Sequence, residues 1–139
     1  MFHSVELRAY CHATEEETRV EGAMRCLSPW GVLQMKRSEG HYGNPIVLIT
    51  CHLEDSGEIA KFWRRLKEAG AIPEIVETLQ ERVDDEGVLH LRFDKQKAFA
   101  GSIDLARVDD VVAVQAKVAA YPAKKSNAVK VALRYLQEV

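Results

Sequence analysis

The sequence predicts an α+β fold in which helices pack mainly on one face of a single antiparallel or mixed sheet. Several segments alternate apolar and polar residues, as strands do when one face is buried and the other is solvated. Two further strands are predicted over residues 32–37 and 46–53, the second of which opens with a continuous apolar run over residues 46–49. They are joined by a glycine-containing loop, which is typical of a hairpin. The complete predicted order is β-α-β-β-α-α-β-(β)-β-α.

Composition places the chain among single-domain globular proteins. Its 139 residues suffice for one core, so we expect one domain over residues 1–139. No apolar run approaches the ~18 residues of a membrane span, and the start lacks a signal pattern. We therefore expect a cytoplasmic protein that has no membrane partner. Three cysteines in no recognisable framework fit a reducing compartment better than a disulfide scaffold.

The first half of the chain supplies strands and helices with recognisable boundaries. A strand is predicted over residues 2–12, where apolar side chains alternate with polar ones. Thr14 followed by Glu17 predicts a capping box at the start of the first helix. Asp55 with Glu58 predicts a second cap after the hairpin.

The second half continues the same alternation of element types. Helical spacing resumes over residues 72–83, after a stop at Gly70. Strands are predicted over residues 88–93 and 110–121, with a further short one over 102–107. A last helix carries apolar residues at helical spacing: Val129, Ala132, Leu133 and Leu136.

The hairpin loop is the first cluster of candidate functional residues. Gly40 and Gly43 bracket His41 and Tyr42, and Asn44 precedes a proline. Glycine adopts positive φ without penalty, so the loop is expected to hold a defined shape that presents an imidazole, a phenol and an amide. Arg37, just before the loop, adds a positive charge. Turn chemistry alone would also account for the glycines and the asparagine, and both interpretations stay open.

A second polar cluster follows the strand over residues 88–93. It consists of Arg92, Lys95, Gln96, Lys97 and Phe99. An amide can pair with a base edge and an aromatic ring can stack on a base, which makes this composition suitable for RNA. The alternatives are that Phe99 belongs to the core and that a neighbouring aspartate neutralises the basic side chains.

A third cluster lies at the start of the last helix. Lys124 and Lys125 oppose the helix dipole there, by about 0.3–1 kcal/mol each when exposed. A phosphate would reverse that sign, because free N–H groups, dipole and ammoniums would converge on one anion. Lys130 extends the basic side chains along the helix. The alternative is a solvated surface with no ligand.

The charge distribution is asymmetric although the net charge is only −2. Residues 1–87 hold ten basic and sixteen acidic side chains, and residues 88–139 hold nine and five. The basic second part can mark an anion-binding face. A pI near 6.2 argues against strong non-specific binding to nucleic acid.

Metal and covalent chemistry have little support in the sequence, and no cofactor is expected. Cys11-His12 and Cys51-His52 are neighbours on strands, so their side chains point to opposite faces and neither pair can chelate as a unit. A cross-strand contact of Cys11 with Cys51 stays open, with buried free cysteines as the other interpretation. His41 could act as a general acid or base, but no second catalytic group is visible beside it.

Three blocks of the chain can be taken together: E-G-H-Y-G-N-P at residues 39–45, L-R-F-D-K-Q-K-A-F-A-G at 91–101 and K-V-A-A-Y-P-A-K-K-S-N-A at 117–128. They resemble the signature blocks of an archaeal RNA-binding family that is usually described as a predicted exosome subunit. The start of the chain, residues 5–17, resembles the opening of that family. The resemblance implies RNA binding and a fold like that of the ribosomal protein that binds 5S RNA. It also implies importance for His41, Tyr42, Gly43, Asn44, Lys95, Gln96, Lys124 and Lys125.

The sequence therefore predicts a non-catalytic RNA-binding domain, an accessory factor of RNA processing or of the exosome. The expected partners are RNA and RNA-processing proteins, and a homodimer stays open. One alternative is a protein-interaction subunit without direct RNA contact; another is a hydrolase or nuclease that uses His41. The residues expected to contact RNA are Arg37, His41, Tyr42, Gly43, Asn44, Arg92, Lys95, Gln96, Lys97, Phe99, Lys124, Lys125 and Lys130.

Overall fold

The computed structural model describes residues 1–40, 42–106 and 109–139. Its strands are β1 (Phe2–Cys11), β2 (Leu33–Glu39), β3 (Pro45–Leu53), β4 (Val88–Asp94) and β5 (Val111–Val118). Its helices are α1 (Glu17–Leu27), α2 (Ser56–Glu68), α3 (Ile72–Glu77), α4 (Leu79–Arg82), α5 (Lys95–Phe99) and α6 (Lys125–Glu138). None of the helices in these ranges is long and apolar enough to cross a membrane. The predicted α+β class is confirmed.

The five strands form one antiparallel sheet in the order β2-β3-β1-β5-β4. The first strand of the chain is thus the central one, between the second strand of the hairpin and the last strand. We call the upper end of the sheet the end where β1, β2 and β4 finish and β3 and β5 begin. The lower end is the opposite one. The hairpin loop lies at the upper end, because Glu39 pairs with Pro45 there.

The core lies between the sheet and the helices on one of its faces. Val5, Leu7 and Ala9 are buried on this face of β1, in the alternation predicted from the sequence. Opposite them, Phe62 and Trp63 of α2 have no exposed surface. Burial of such side chains stabilises the fold by roughly 1.5–3 kcal/mol each, which makes this face the main source of stability.

The two predicted helix caps have different outcomes. The Asp55 carboxylate accepts a hydrogen bond from the backbone N–H of Glu58 at 3.1 Å, so this cap is confirmed. The capping box of Thr14 and Glu17 is wrong: α1 begins later, Glu16 is its N-cap, and no side chain caps it. Glu15 instead accepts from the backbone N–H of His12, which ties the preceding turn to the end of β1.

Three other boundaries differ from the prediction. The continuous helical spacing over residues 72–83 forms two short helices, α3 and α4, separated at Thr78. The short strand expected over residues 102–107 is reduced, in the part described, to one bridge between Leu105 and Phe93. Residue 107 lies outside the described residues. The helix α5 was not predicted; Asp94 caps it by accepting from the N–H of Lys97 at 2.9 Å.

The contrast between the two caps can be measured. Replacing Asp55 with Ala should lower the free energy of unfolding by about 1 kcal/mol, because the N–H of Glu58 loses its acceptor. Replacing Thr14 with Ala should change it by less than about 0.5 kcal/mol, since its side chain caps nothing. Urea denaturation of both variants checks the pair. An equal loss in both would contradict the cap assignment.

Candidate nucleic-acid interface

One face of the sheet is left open to solvent. Its residues alternate with the buried ones along the strands, and none of those described is buried. We call this surface the open face. Its members are Ser4, Glu6, Arg8 and Tyr10 on β1, Gln34, Lys36 and Ser38 on β2, Ile46, Leu48, Thr50 and His52 on β3, Val88, His90, Arg92 and Asp94 on β4, and Val111, Ala113, Gln115 and Lys117 on β5.

The open face is positively charged although the chain is negative. It holds four permanent cations, Arg8, Lys36, Arg92 and Lys117, against the carboxylates of Glu6 and Asp94, a net +2 on a chain of net −2. Among the described residues, only Arg8 of these four forms an ion pair, a 3.4 Å contact with Glu6. Three cations therefore remain available to an anionic ligand.

A cleft of about 390 Å³ lies at the upper end of the open face. Val111 and Ala113 of β5 line it, between the side chains of β1 and those of β4. Tyr10 of β1 is 49% exposed here, so about half of its side chain is accessible to a ligand. The remaining lining residues are Arg8, His12, Arg92, Lys95, Asp109 and Asp110.

A buried lysine closes the end of this cleft. The Nζ atom of Lys95 lies 2.9 Å from Glu15 Oε1 and 2.7 Å from Asp110 Oδ1, and it donates to the carbonyl of Tyr10 at 2.9 Å. Its side chain is only 3% exposed. One ammonium thus connects the end of β1, the turn before α1, the start of α5 and the residue before β5.

The environment of Lys95 favours its charged form. Burial opposes the charge, but hydrogen bonds to Asp110 and Glu15 outweigh it and raise the pKa of Lys95 above its usual value. Burial likewise opposes the charge of Asp110, yet hydrogen bonds from Lys95 and Gln96 lower the pKa of that carboxyl. His12, Glu15 and Asp110 present ligand atoms within 4.8 Å of one another. The ammonium already holds the two carboxylates of this group.

The first predicted cluster lies at the upper end, beside the edge strand. Gly43 has φ +76°, so the left-handed conformation expected from the loop sequence is present. Tyr42 is 87% exposed, and the carbonyl of Asn44 accepts from Gly40 at 2.6 Å. Arg37 points to the helical side, where it binds both carboxylate oxygens of Glu17. His41 lies outside the described residues.

The second cluster is divided between different surfaces. Arg92 is on the open face, whereas Lys95 is buried and cannot reach a ligand. Gln96 donates to Asp110 at 3.2 Å, and Lys97 is exposed. Phe99 is neither a core residue nor a free stacking surface, because the guanidinium of Arg19 lies 4.3 Å from its ring centre.

The third cluster lies at the lower end of the sheet. Lys124 is the N-cap of α6 and Lys125 its first residue, as the sequence predicted. The helix start has no side-chain cap, and Asn127 donates to the carbonyl of Pro122. Lys130 is exposed further along the helix.

The three clusters do not meet in one place. The hairpin loop and α5 share the upper end but follow opposite edges of the sheet, three to four strand spacings or about 14–19 Å apart. The start of α6 lies beyond the other end of strands that are seven to ten residues long. The open face is the surface that runs between them.

The chain is similar to known proteins over most of its length. The sequence profile of a family described as RNA binding matches residues 4–118. The chain belongs to this family. It is 32% identical to RNA-binding protein PAB1135 of Pyrococcus abyssi, over 97% of this chain and 94% of that protein. The family part of the predicted resemblance is therefore confirmed.

Solved structures of similar sequence have the same fold. Protein AF2318 from Archaeglobus fulgidus is 36% identical, with a TM-score of 0.86 over 98% of this chain and 99% of that one. Mth689 from Methanothermobacter thermautotrophicus, a DUF54 protein, is 33% identical, with a TM-score of 0.81 over 98% of each chain. The fold of this member of the RNA-binding family is thus shared with archaeal proteins of similar sequence.

Sequence reasoning missed most of the open face. Arg8, Tyr10, Lys36 and Lys117 are not among the residues that the sequence predicts to contact RNA. The signal that could have found them is the alternation itself, since each strand carries at least one cation or aromatic ring on its polar side. Their convergence depends on which strands are neighbours, and alternation does not contain that information.

The cysteines take no part in this surface. Cys11 pairs in register with Val47 and Cys51 with Leu7, so the cross-strand contact left open by the sequence is not formed. Both are buried free thiols, and burial raises the pKa of each. His12 and His52, their neighbours, are exposed, which confirms that the two members of each pair face opposite ways.

Lys95 should contribute to stability rather than to ligand contact. Replacing it with Met leaves Glu15 and Asp110 facing each other without a cation. We expect a loss of about 2–3 kcal/mol in the free energy of unfolding at pH 7, less than for a fully buried pair because Asp110 is partly exposed. Chemical denaturation measures the loss. Lys97→Met, an exposed neighbour, should change stability by less than about 0.5 kcal/mol.

The stability difference between wild type and Lys95→Met should depend on pH, because the pKa values of Lys95 and Asp110 are both shifted in the folded protein. The lowered pKa of Asp110 contributes stability above its unfolded pKa of about 3.9, and this contribution is lost as the pH falls through the folded pKa. The raised pKa of Lys95 contributes below about 10.4 and is lost as the pH rises through its folded value. The difference between wild type and Lys95→Met should therefore shrink in strong acid. If the difference in the free energy of unfolding between wild type and Lys95→Met stays constant as the pH falls into strong acid, that result would count against the ion pair.

Proposed function

We propose that this protein binds RNA without catalysing a reaction on it, and that the open face of the sheet is its main contact surface. The observation that carries the proposal is a solvated sheet face with net charge +2 on an acidic chain. Protein surfaces attract polyanions through their local charge rather than through the net charge of the molecule. Membership of the RNA-binding family supports the choice of RNA as the polyanion.

The features of the open face fit an unpaired strand better than a duplex. RNA-binding sheets hold single strands by stacking bases on aromatic side chains while cations track the backbone. Tyr10 supplies an exposed ring, and Leu48 beside it on β3 adds apolar surface. Arg92 and Lys117 lie along the neighbouring strands. We therefore propose an unpaired segment of RNA as the ligand.

The predicted clusters would extend this surface at both ends. Tyr42, Gly43 and Asn44 stand at the upper end, where the loop could contact RNA that leaves the sheet. Lys124 and Lys125 stand at the lower end, with Lys130 further along α6. Strands of about seven residues span roughly 23 Å, so only an RNA long enough to cross the sheet would reach both ends. Lys95 is left out of the contact set because it is buried.

We further propose that the protein is an accessory factor of RNA processing, such as an exosome subunit, in keeping with the family resemblance of its three blocks. A relation to the fold of the ribosomal protein that binds 5S RNA belongs to the same proposal. The alternative is a protein-interaction subunit without direct RNA contact, favoured by sixteen acidic against ten basic residues in residues 1–87. Capture of a partner that survives nuclease treatment would favour this alternative.

A homodimer through β2 has little support, because Lys36 and Arg37 on that edge strand disfavour edge-to-edge pairing.

The salt dependence of RNA binding tests the contact surface. If Lys36 and Lys117 contact phosphates, the double variant Lys36→Ala/Lys117→Ala should lower the slope of log K against log salt by about 1.4, since each contact to a single strand contributes about 0.7. Fluorescence anisotropy with a labelled single-stranded RNA measures the slope. The same RNA should be recovered intact after incubation with Mg²⁺ if the role is non-catalytic.

The matched control removes two charges from the helical side. Lys61 and Arg64 are exposed on α2, and Lys61→Ala/Arg64→Ala should leave the slope unchanged. Lys124→Ala/Lys125→Ala should weaken binding of long RNA and spare short RNA. Equal effects of the open-face pair and the α2 pair would reject the open face as the contact surface.

A further inference from the structure

The cleft on the open face is framed by two arginines that face each other across an alanine. Ala113 on β5 pairs in register with Arg8 on one side and with Arg92 on the other. Residues that are directly opposite in neighbouring strands share a face of the sheet, so the three side chains form one row. The two arginine Cα atoms are two strand spacings apart, about 9–10 Å. Because alanine is small, the space between the guanidiniums is open above it.

The charge and hydrogen-bonding state of these arginines suits an anion. Arg92 makes no ion pair with any of the described residues, and Arg8 has only the 3.4 Å contact with Glu6. The Nε atom of Arg8 is shielded from solvent without a hydrogen-bond acceptor in the described part of the chain. Guanidiniums bind phosphate through paired N–H groups, so a phosphate in this row would supply acceptors to both side chains.

The neighbouring positions suit a base. Tyr10 is the next open-face residue along β1, two positions beyond Arg8 towards the upper end, and lines the same cleft. Its half-exposed ring offers a stacking surface. Beyond it, Asp109 and Asp110 present carboxylates, which repel phosphate but accept hydrogen bonds from exocyclic amino groups. The cleft is thus basic at the Arg8–Arg92 row and acidic at the upper end.

We propose that this cleft binds one unpaired nucleotide of RNA, with its phosphate between Arg8 and Arg92 and its base against Tyr10. The polarity of the cleft favours a base that carries an amino group, such as cytosine, over uracil. This inference rests on the proposed RNA binding and adds a defined position within it. Lys95 keeps the acidic end from repelling the whole ligand, since its ammonium neutralises part of the carboxylate charge.

The stacking contact is tested by two variants of one residue. Tyr10→Leu keeps apolar bulk but loses the ring, and it should weaken binding of an oligocytidine by about 5- to 150-fold, the range measured for loss of one stacked base. Tyr10→Phe keeps the ring and should bind as wild type does. Tyr10 is half exposed, and circular dichroism would confirm that both variants are folded. The salt slope should be unchanged in both, because the ring contacts no phosphate.

The phosphate position is tested by a charge placed between the arginines. Ala113→Glu should lower affinity by about tenfold or more, because its carboxylate would occupy the row that the phosphate needs. Gln115→Glu makes the same charge on the same face, one open-face position further along β5 and outside the cleft. It should have a clearly smaller effect. Equal losses in the two variants would overturn the phosphate position.

Base preference completes the test and separates this inference from the general proposal. Oligocytidine should bind wild type roughly five-fold or more tightly than oligouridine of equal length, because uracil lacks the amino group. Equal affinities would overturn the amino preference. A further outcome is that wild type binds RNA with a slope of log K against log salt that depends on the open-face cations, while Tyr10→Leu and Ala113→Glu bind as tightly as wild type. That result would reject the nucleotide site and leave the proposal of RNA binding intact. If wild type does not bind RNA, both are wrong.

Discussion

The upper end of this fold depends on a single buried cation. The Lys95 ammonium lies within 2.9 Å of two carboxylates and a backbone carbonyl, and these come from segments far apart in the chain. A lysine at 3% exposure is costly to bury unless every donor is satisfied, and here each contact is within hydrogen-bonding distance. Because Tyr10, Glu15 and Asp110 all bind this group, it sets the relative positions of β1, the turn before α1 and the start of β5.

The rest of the architecture follows from a period of two along the strands. Side chains at alternate positions of β1 point to the helices or to water, so a single strand supplies both core and surface. Leu7 has no exposed area, while its neighbours Glu6 and Arg8 remain partly accessible. Since helices cover only one face, stability is concentrated on the helical side. The open face is free to carry charge without disturbing the core.

Much of the fold could be predicted because its signals are local. Alternation located β1, β4 and β5 to within a few residues, and an apolar run beside a glycine loop located the hairpin of β2 and β3. Asp55 marked the start of α2 through a contact only three residues away. The wrong predictions concern choices between local and distant partners. Glu15 and Lys95 bind each other across eighty positions, and no sequence pattern distinguishes such a lysine from an exposed one. Thr14 had the spacing of a capping box, but α1 begins beyond it.

The candidate site was harder to predict for the same reason. Arg8 and Arg92 face each other across Ala113 because β5 lies between β1 and β4. Alternation along a strand does not determine that strand order. The sequence clusters were defined by proximity along the chain, which on a strand places successive side chains on opposite faces. Arg92 is exposed on the open face, whereas Lys95, three residues later, begins α5 and is buried at the end of the cleft.

The buried cation also shapes the charge of the cleft that we propose as a nucleotide site. Asp109 and Asp110 border the same cleft as two arginines, and without compensation their charges would oppose those of the arginines. Lys95 compensates Asp110 from below, out of reach of a ligand, so the arginines dominate the field above Ala113 while the carboxylate oxygens keep lone pairs for hydrogen bonds. Coulomb interactions between exposed charges weaken beyond about 8 Å in physiological salt, so this local compensation matters more than the net charge of the chain. In the proposed nucleotide site, one group would thus serve both stability and recognition, through the charge it neutralises.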